Sequence, residues 1–258
     1  SGGNTPKLQV SDNDNDASIG VYNYGNNAAH FASLRLAHSK NGTIGSHTVL
    51  ADNDKIGAIE FNGSDGSNFD TIGARIIAEV DGTPASNRMP SALTFSTAAG
   101  GADDDITERM RIASSGRVGI GTTGPSAALH ISQTNDGGDT AIILNNNAGV
   151  GSTDETVSLF FTHAGIAGGK IVAGRTFNYS TSANRDSNLQ FFTTQNGTDT
   201  LALTLDANQN VGIGITPESD FLSTRTALQI GGSGAIFGKK AKEAGGDLSI
   251  GQNVYFHS

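Results

Sequence analysis

Gly119-Ile120-Gly121-Thr122-Thr123-Gly124 has the spacing of a dinucleotide-binding turn, in which a strand ends in glycines and a helix N-terminus then receives the pyrophosphate. Pro125 follows at once, no amphipathic helix pattern lies downstream, and a second copy of the segment carries Pro217 where the third glycine would stand. The segment therefore reads as a strand and turn, with no nucleotide cofactor. Asp12-Asn13-Asp14-Asn15-Asp16 opens like a calcium loop, yet Ala17 occupies the position of the sharp turn and Asn23 that of the bidentate carboxylate. Asp103-Asp104-Asp105 reads as a charged turn ahead of a strand, so neither cluster is assigned a metal.

Glu60, Asp65, Glu79 and Asp81 could in principle be set across a cleft as a glycosidase pair, but none sits in a recognisable motif. The chain has no Trp and four Tyr, few rigid platforms for a sugar ring. The six His residues show no ligand spacing, and His38 and His163 read as equivalent positions of a repeat, which favours a packing role. Ser, Thr and Asp are abundant without a strand-elbow-helix context that would select a triad. The expectation is a protein that is not an enzyme, with no catalytic, cofactor or metal residues.

The elements that carry these residues are repetitive. Val118-Gly119-Ile120-Gly121 returns as Val211-Gly212-Ile213-Gly214, Leu93-Thr94-Phe95 as Leu189-Gln190-Phe191, and Arg75-Ile76-Ile77-Ala78 as Lys170-Ile171-Val172-Ala173. Ser33-Leu34 leading to His38 is matched with Ser158-Leu159 leading to His163. Leu8-Gln9-Val10 returns as Leu129-His130-Ile131 and Leu228-Gln229-Ile230. The organisation read from this is a lead-in over 1–7, one module over 8–128, a second over 129–227 and the start of a third over 228–258. The first module carries an insertion at about 40–68, and removal of residues 41–53 is expected to leave assembly intact.

The apolar period is two throughout, and Asn41-Gly42, Asn62-Gly63, Asp81-Gly82 and Asn196-Gly197 suit tight turns between antiparallel strands. Only 217–226 and 239–244 leave room for a turn or two of helix. The fold class is all-β, as two tandem β-rich modules. In the repeated Val-Gly-Ile-Gly segments, Val118, Ile120, Val211 and Ile213 point one way. Gly119, Gly121, Gly212 and Gly214 leave space for another backbone, as expected of junctions between chains or modules.

Composition limits the rest. Among 258 residues there are 35 Gly and no Cys, 16% are charged, and the net charge is -9. Leu, Ile, Val and Phe make up roughly a fifth of the chain, close to the level below which chains stay unfolded. One copy can therefore fill only a thin core. The absence of a basic block excludes the electrostatic footprint of a nucleic-acid binder, and no apolar run approaches the ~20 residues of a membrane helix. Association around an axis would cover sheet edges and enlarge the core.

The run Arg109-Met110-Arg111-Ile112-Ala113-Ser114-Ser115-Gly116-Arg117-Val118-Gly119-Ile120-Gly121, continuing to Leu129-His130-Ile131, resembles the repeat of bacteriophage tail-fibre proteins. Ile59-Glu60-Phe61-Asn62-Gly63 and Ala78-Glu79-Val80-Asp81-Gly82 extend the likeness upstream. The resemblance implies an elongated, intertwined homotrimeric fibre, of the kind whose shaft precedes an endosialidase-type intramolecular chaperone. It implies an extracellular place on the virion, with other tail proteins and a host cell-surface glycan or protein as partners. It transfers no catalytic residue, and the receptor-binding residues are unknown. A fibre-borne polysaccharide depolymerase and a bacterial surface adhesin of similar repeats are the alternatives. The ending Val254-Tyr255-Phe256-His257-Ser258 reads as that of a piece of a longer chain.

Overall fold

A computed structural model of the chain describes residues 8, 10–11, 17–100, 105–134, 138–151, 153–177, 179–218, 225–232, 234–239 and 249–252. The lead-in 1–7, Gln9, Asp12 to Asp16, Asp103 and Asp104 lie outside them. The chain forms two units, Ser1–Ala141 and Ile142–Ser258. Each is built on one sheet, and the only regular helix among the described residues is the single 3-10 turn Ser182–Asn184.

The first sheet has six strands in sequence order: β1 (Lys55–Asn62), β2 (Ile72–Val80), β3 (Ser91–Ala98), β4 (Ile106–Ile112), β5 (Val118–Ile120) and β6 (Leu129–Ile131). β1 to β5 form an antiparallel meander and β6 joins β5 in parallel. The second sheet repeats that plan with β7 (Thr156–His163), β8 (Ile166–Arg175), β9 (Ser187–Gln195), β10 (Thr198–Leu205), β11 (Val211–Ile213) and β12 (Arg225–Ile230). It then adds β13 (Gly234–Lys239) and β14 (Ser249–Gln252) beyond β12. The all-β class with tandem modules is what the alternation predicts.

Register makes the two sheets residue-by-residue counterparts. Ile76 lies between Ile59 and Phe95, and Ile171 between Leu159 and Phe191. Thr94 pairs Arg111, which pairs Gly119; Gln190 pairs Thr204, which pairs Gly212. β1 is thus the counterpart of β7 in the other sheet, although it falls inside the stretch 40–68 read as an insertion. The alignment of Ser33-Leu34 with Ser158-Leu159 was drawn by their shared Ser-Leu, whereas the backbone places Ile59 opposite Leu159. His38 consequently lies outside the sheet and His163 ends β7, so they are not equivalent. Leu129-His130-Ile131 and Leu228-Gln229-Ile230 each join the sheet that precedes them, pairing in parallel with the short Val-Gly-Ile strand.

Of the four expected turns, Asn196-Gly197 alone is a two-residue hairpin, with φ of 50° and 80°. The other two-residue hairpin uses Ala164-Gly165, φ 51° and 77°, joining β7 to β8. Asn62-Gly63 and Asp81-Gly82 instead begin longer connections, and Asn41-Gly42 lies in the loop before β1. Lys239 and Arg225-Thr226, at the edges of the two expected helical turns, are in strands; residues 219–224 and 240–244 lie outside the described residues.

Candidate functional site

Alternation along each strand assigns every side chain to one of two sheet faces. In the first sheet one face reads, strand by strand, Ile59, Ile76, Phe95, Met110, Ile120, Ile131, and the next row Ala78, Leu93, Ile112, Val118, Leu129. In the second the rows are Leu159, Ile171, Phe191, Leu203, Ile213, Ile230 and Val157, Ala173, Leu189, Leu205, Val211, Leu228. These rows are wholly apolar, with Ser91, Thr97 and Thr107 further along the same face of the first sheet and Thr193 along that of the second.

These apolar faces are the more exposed ones. Leu93, Ile112, Ile120, Leu189, Leu205 and Ile213 are each between a third and a half exposed, and Ile59, Phe61, Leu159 and Phe161 about half. The opposite faces carry most of the buried residues, polar and apolar together: Glu79, Thr94, Ser96 and Arg111 with Ile77 and Ala92 in the first unit, Thr204 and Gln229 with Val172 in the second. With neighbouring strands ~4.8 Å apart, two apolar rows across six strands span on the order of several hundred Å², more than soluble chains leave uncovered without an interaction purpose.

The buried polar faces are closed by the chain itself. A Cβ on Gly119 would lie 2.5 Å from the carbonyl oxygen of Thr122 and 3.4 Å from Arg111 Cγ. At Gly212 it would overlap the carbonyl oxygen of Ile215 and sit 2.9 Å from Pro217 Cδ. Gly121 and Gly214 both have φ of +69°, and a Cβ on Gly121 would overlap the Ser132 carbonyl oxygen. Backbone of the same chain approaches Gly119, Gly121 and Gly212, from residues 122, 132 and 215, whereas a Cβ on Gly214 would meet nothing within 4 Å. Val118, Ile120, Val211 and Ile213 meanwhile join the apolar rows. Tight intrachain closure was hidden because spacing shows that room is needed and not what fills it.

On the polar side of the first sheet an ion network spans three strands. Glu79 Oε2 accepts from Lys55 Nζ, Glu79 Oε1 from Arg111 Nη2 at 2.8 Å, and Glu108 takes two hydrogen bonds from Arg111 at 2.7 and 2.9 Å. The Glu108 hydrogen bond and the two carboxylate charges hold the Arg111 guanidinium's pKa above its ordinary value against the cost of burial. Asp81 accepts from the Ser114 backbone N–H at 2.7 Å, which lowers its pKa. On the second sheet Lys170 pairs with Asp199 at 2.8 Å and stands over the Phe160 and Phe192 rings. Its hydrogen bond, with that of Thr194, lowers the Asp199 pKa.

Of the carboxylates considered for catalysis, Glu79 and Asp81 are committed to these contacts. Asp65 accepts from the backbone of Ser67 and Asn68 and from Thr71. Glu60 sits exposed on β1. No cluster of three metal-ligating side chains occurs among the described residues. The stretch 41–53 is part of the first unit's packing: Leu50 is buried, Asn53 N–H donates to Val80 at 2.9 Å, and Asp52 accepts from Gly82 N–H at 2.7 Å. Its removal would open that unit, contrary to the reading of a dispensable loop.

No family model matches the sequence, and no curated protein does. The chain is similar to the C-terminal domain of the L-shaped tail fibre of bacteriophage T5, with TM-score 0.37 and 12% identity over 80% of this chain and 92% of that one. It is also similar to that domain with its intramolecular chaperone domain, with TM-score 0.38 and 11% identity over 93% of this chain and 69% of that one.

Proposed function

We propose that the protein is a structural segment of a trimeric phage tail fibre, a shaft that supports host attachment from the virion surface. The observation that carries this is the inverted burial of both sheets. Each unit closes one face by itself and leaves the apolar rows of the other face exposed, as a surface for a further chain to cover. Covering such a face is satisfied by two or three copies. The likeness of the Arg109 to Ile131 run to tail-fibre repeats supports three. Tandem repetition then lengthens the assembly, and three identical chains present every surface loop three times, so weak contacts with a host glycan or protein combine into avidity.

In this reading the chain works by reach and valency, with no bond made or broken. Other virion tail proteins would be its axial neighbours. The test is solution mass by light scattering, expected at three times the 26.4 kDa chain. A compact single chain at micromolar concentration would overturn the proposal, and release of reducing sugar from host polysaccharide would favour a depolymerase.

A further inference from the structure

Ahead of each edge strand, β1 and β7, lies a stretch whose backbone does not pair with the sheet. Residues 31–38 ahead of β1 and 139–149 ahead of β7 have no regular pairing and every residue is exposed. The two stretches correspond. The His38 ring hydrogen-bonds the Lys55 carbonyl at 2.7 Å, and the Asn146 amide donates to the Thr156 carbonyl at 3.4 Å, so each is pinned to the start of β1 or β7. Counting back from the pins, Leu36 matches Leu144 and Leu34 matches Ile142, which are 46%, 52%, 76% and 68% exposed. This two-residue period is that of a strand with one apolar face. Leu36 lies over Gly57, the register neighbour of Ala78, and so prolongs the apolar face of its sheet.

Among the described residues no backbone hydrogen bond reaches 31–37 or 139–148. Fixing such a stretch costs about 1–2 kcal/mol per residue in backbone entropy, and no backbone hydrogen bond offsets it; the His38 and Asn146 side-chain bonds and the Leu36 contact do so only at one end. The outer edges of β1 and β7 meanwhile present unpaired N–H and C=O groups. They are the edges both units leave open, since β13 covers β12 on the far side of the second sheet. β1 is eight residues long, the length of the stretch 31–38.

We propose that residues 31–38 of one copy add as a strand to the open edge of β1 in a neighbouring copy, and residues 139–146 to the edge of β7. This rests on the assembly proposed above and gives it a second element, a backbone exchange between chains. Backbone hydrogen bonds supply the attachment, and Leu34, Leu36, Ile142 and Leu144 set the register by joining the apolar face. Because donor and acceptor are different surfaces, the contact is head-to-tail and closes into a ring once the last copy returns to the first.

Hydrogen exchange on the assembled protein tests this directly. Amides within 31–37 and 140–145 that find acceptors in another copy are expected to exchange more than about a hundredfold slower than unstructured chain. Random-coil exchange in an assembly of three-chain mass overturns strand addition and leaves the apolar-face assembly standing; a one-chain mass overturns both. Leu34→Pro and Arg35→Pro give an independent reading, because alternate N–H groups of a strand serve one edge. One of the two is expected to raise the concentration at which the assembly dissociates by about tenfold or more, a shift of ~1.4 kcal/mol. Assembly of both variants like the parent overturns the exchange.

Discussion

Glu79 and Arg111 meet at 2.8 Å on the polar face of the first sheet, 6% and 8% exposed, while Ala78 and Ile112 beside them face the other way. A buried pair of this kind costs desolvation that mutual attraction largely repays, so its removal as a pair is tolerated and its halving is not. Glu79→Gln is expected to destabilise the first unit by about 3 kcal/mol, and the double change Glu79→Leu with Arg111→Met to recover most of that loss. Denaturant melts of the two variants and the parent check it.

Gly119 and Gly212 lie under carbonyl oxygens of their own chain, so the effect of a side chain there precedes assembly. Gly119→Val and Gly212→Val are each expected to destabilise their unit by about 1–3 kcal/mol, whereas Gly63→Val, with open space around it, has little effect. Equal melting temperatures for Gly119→Val and Gly63→Val would remove the close approach as the reason for glycine.

The apolar rows make the opposite prediction. Leu93→Glu or Leu189→Glu places a charge on a face that is exposed in one chain, and is expected to abolish assembly while leaving the β signal in circular dichroism unchanged. Light scattering with the same samples separates loss of assembly from loss of fold.

Thr204 is fully buried, at the place held by Arg111 in the first sheet, and its hydroxyl has no hydrogen-bond partner. Thr204→Val keeps the shape and removes the unsatisfied group, and is expected to stabilise the second unit by about 1 kcal/mol. A thermal melt showing a lower midpoint would mean that the hydroxyl is satisfied.

Asp81 has its pKa lowered first by the Ser114 N–H. A carboxylate depressed in the folded state contributes stability that is fully present above its unfolded pKa of about 3.9 and is lost as pH falls through the lower folded value. The first unit is therefore expected to weaken below about pH 4, and Asp81→Asn to flatten that part of the profile. Melting temperatures between pH 2 and pH 7, on a scale where about 4 marks the onset, compare the two.

The amino-acid order by itself determined the strands, the doubled module and the need for glycine in Val118-Gly119-Ile120-Gly121, because period-two alternation and the demand for a missing Cβ are local properties of a chain. It placed Ile59 inside an insertion and matched His38 with His163, since similarity of letters cannot see which backbone lies beside which; only the register of β1 on β2 and of β7 on β8 decided that. The tertiary structure also decided which face is inside. Apolar Leu93, Ile120 and Ile213 would by pattern alone form the core, with Glu79, Arg111 and Thr204 in water. The folding back of residues 121–122 over Gly119 and of 215–217 over Gly212 covers the polar face instead. That inversion rests on how the chain folds back on itself after each Val-Gly-Ile strand, which period-two alternation does not encode, and it leaves the apolar rows of each sheet the more exposed ones.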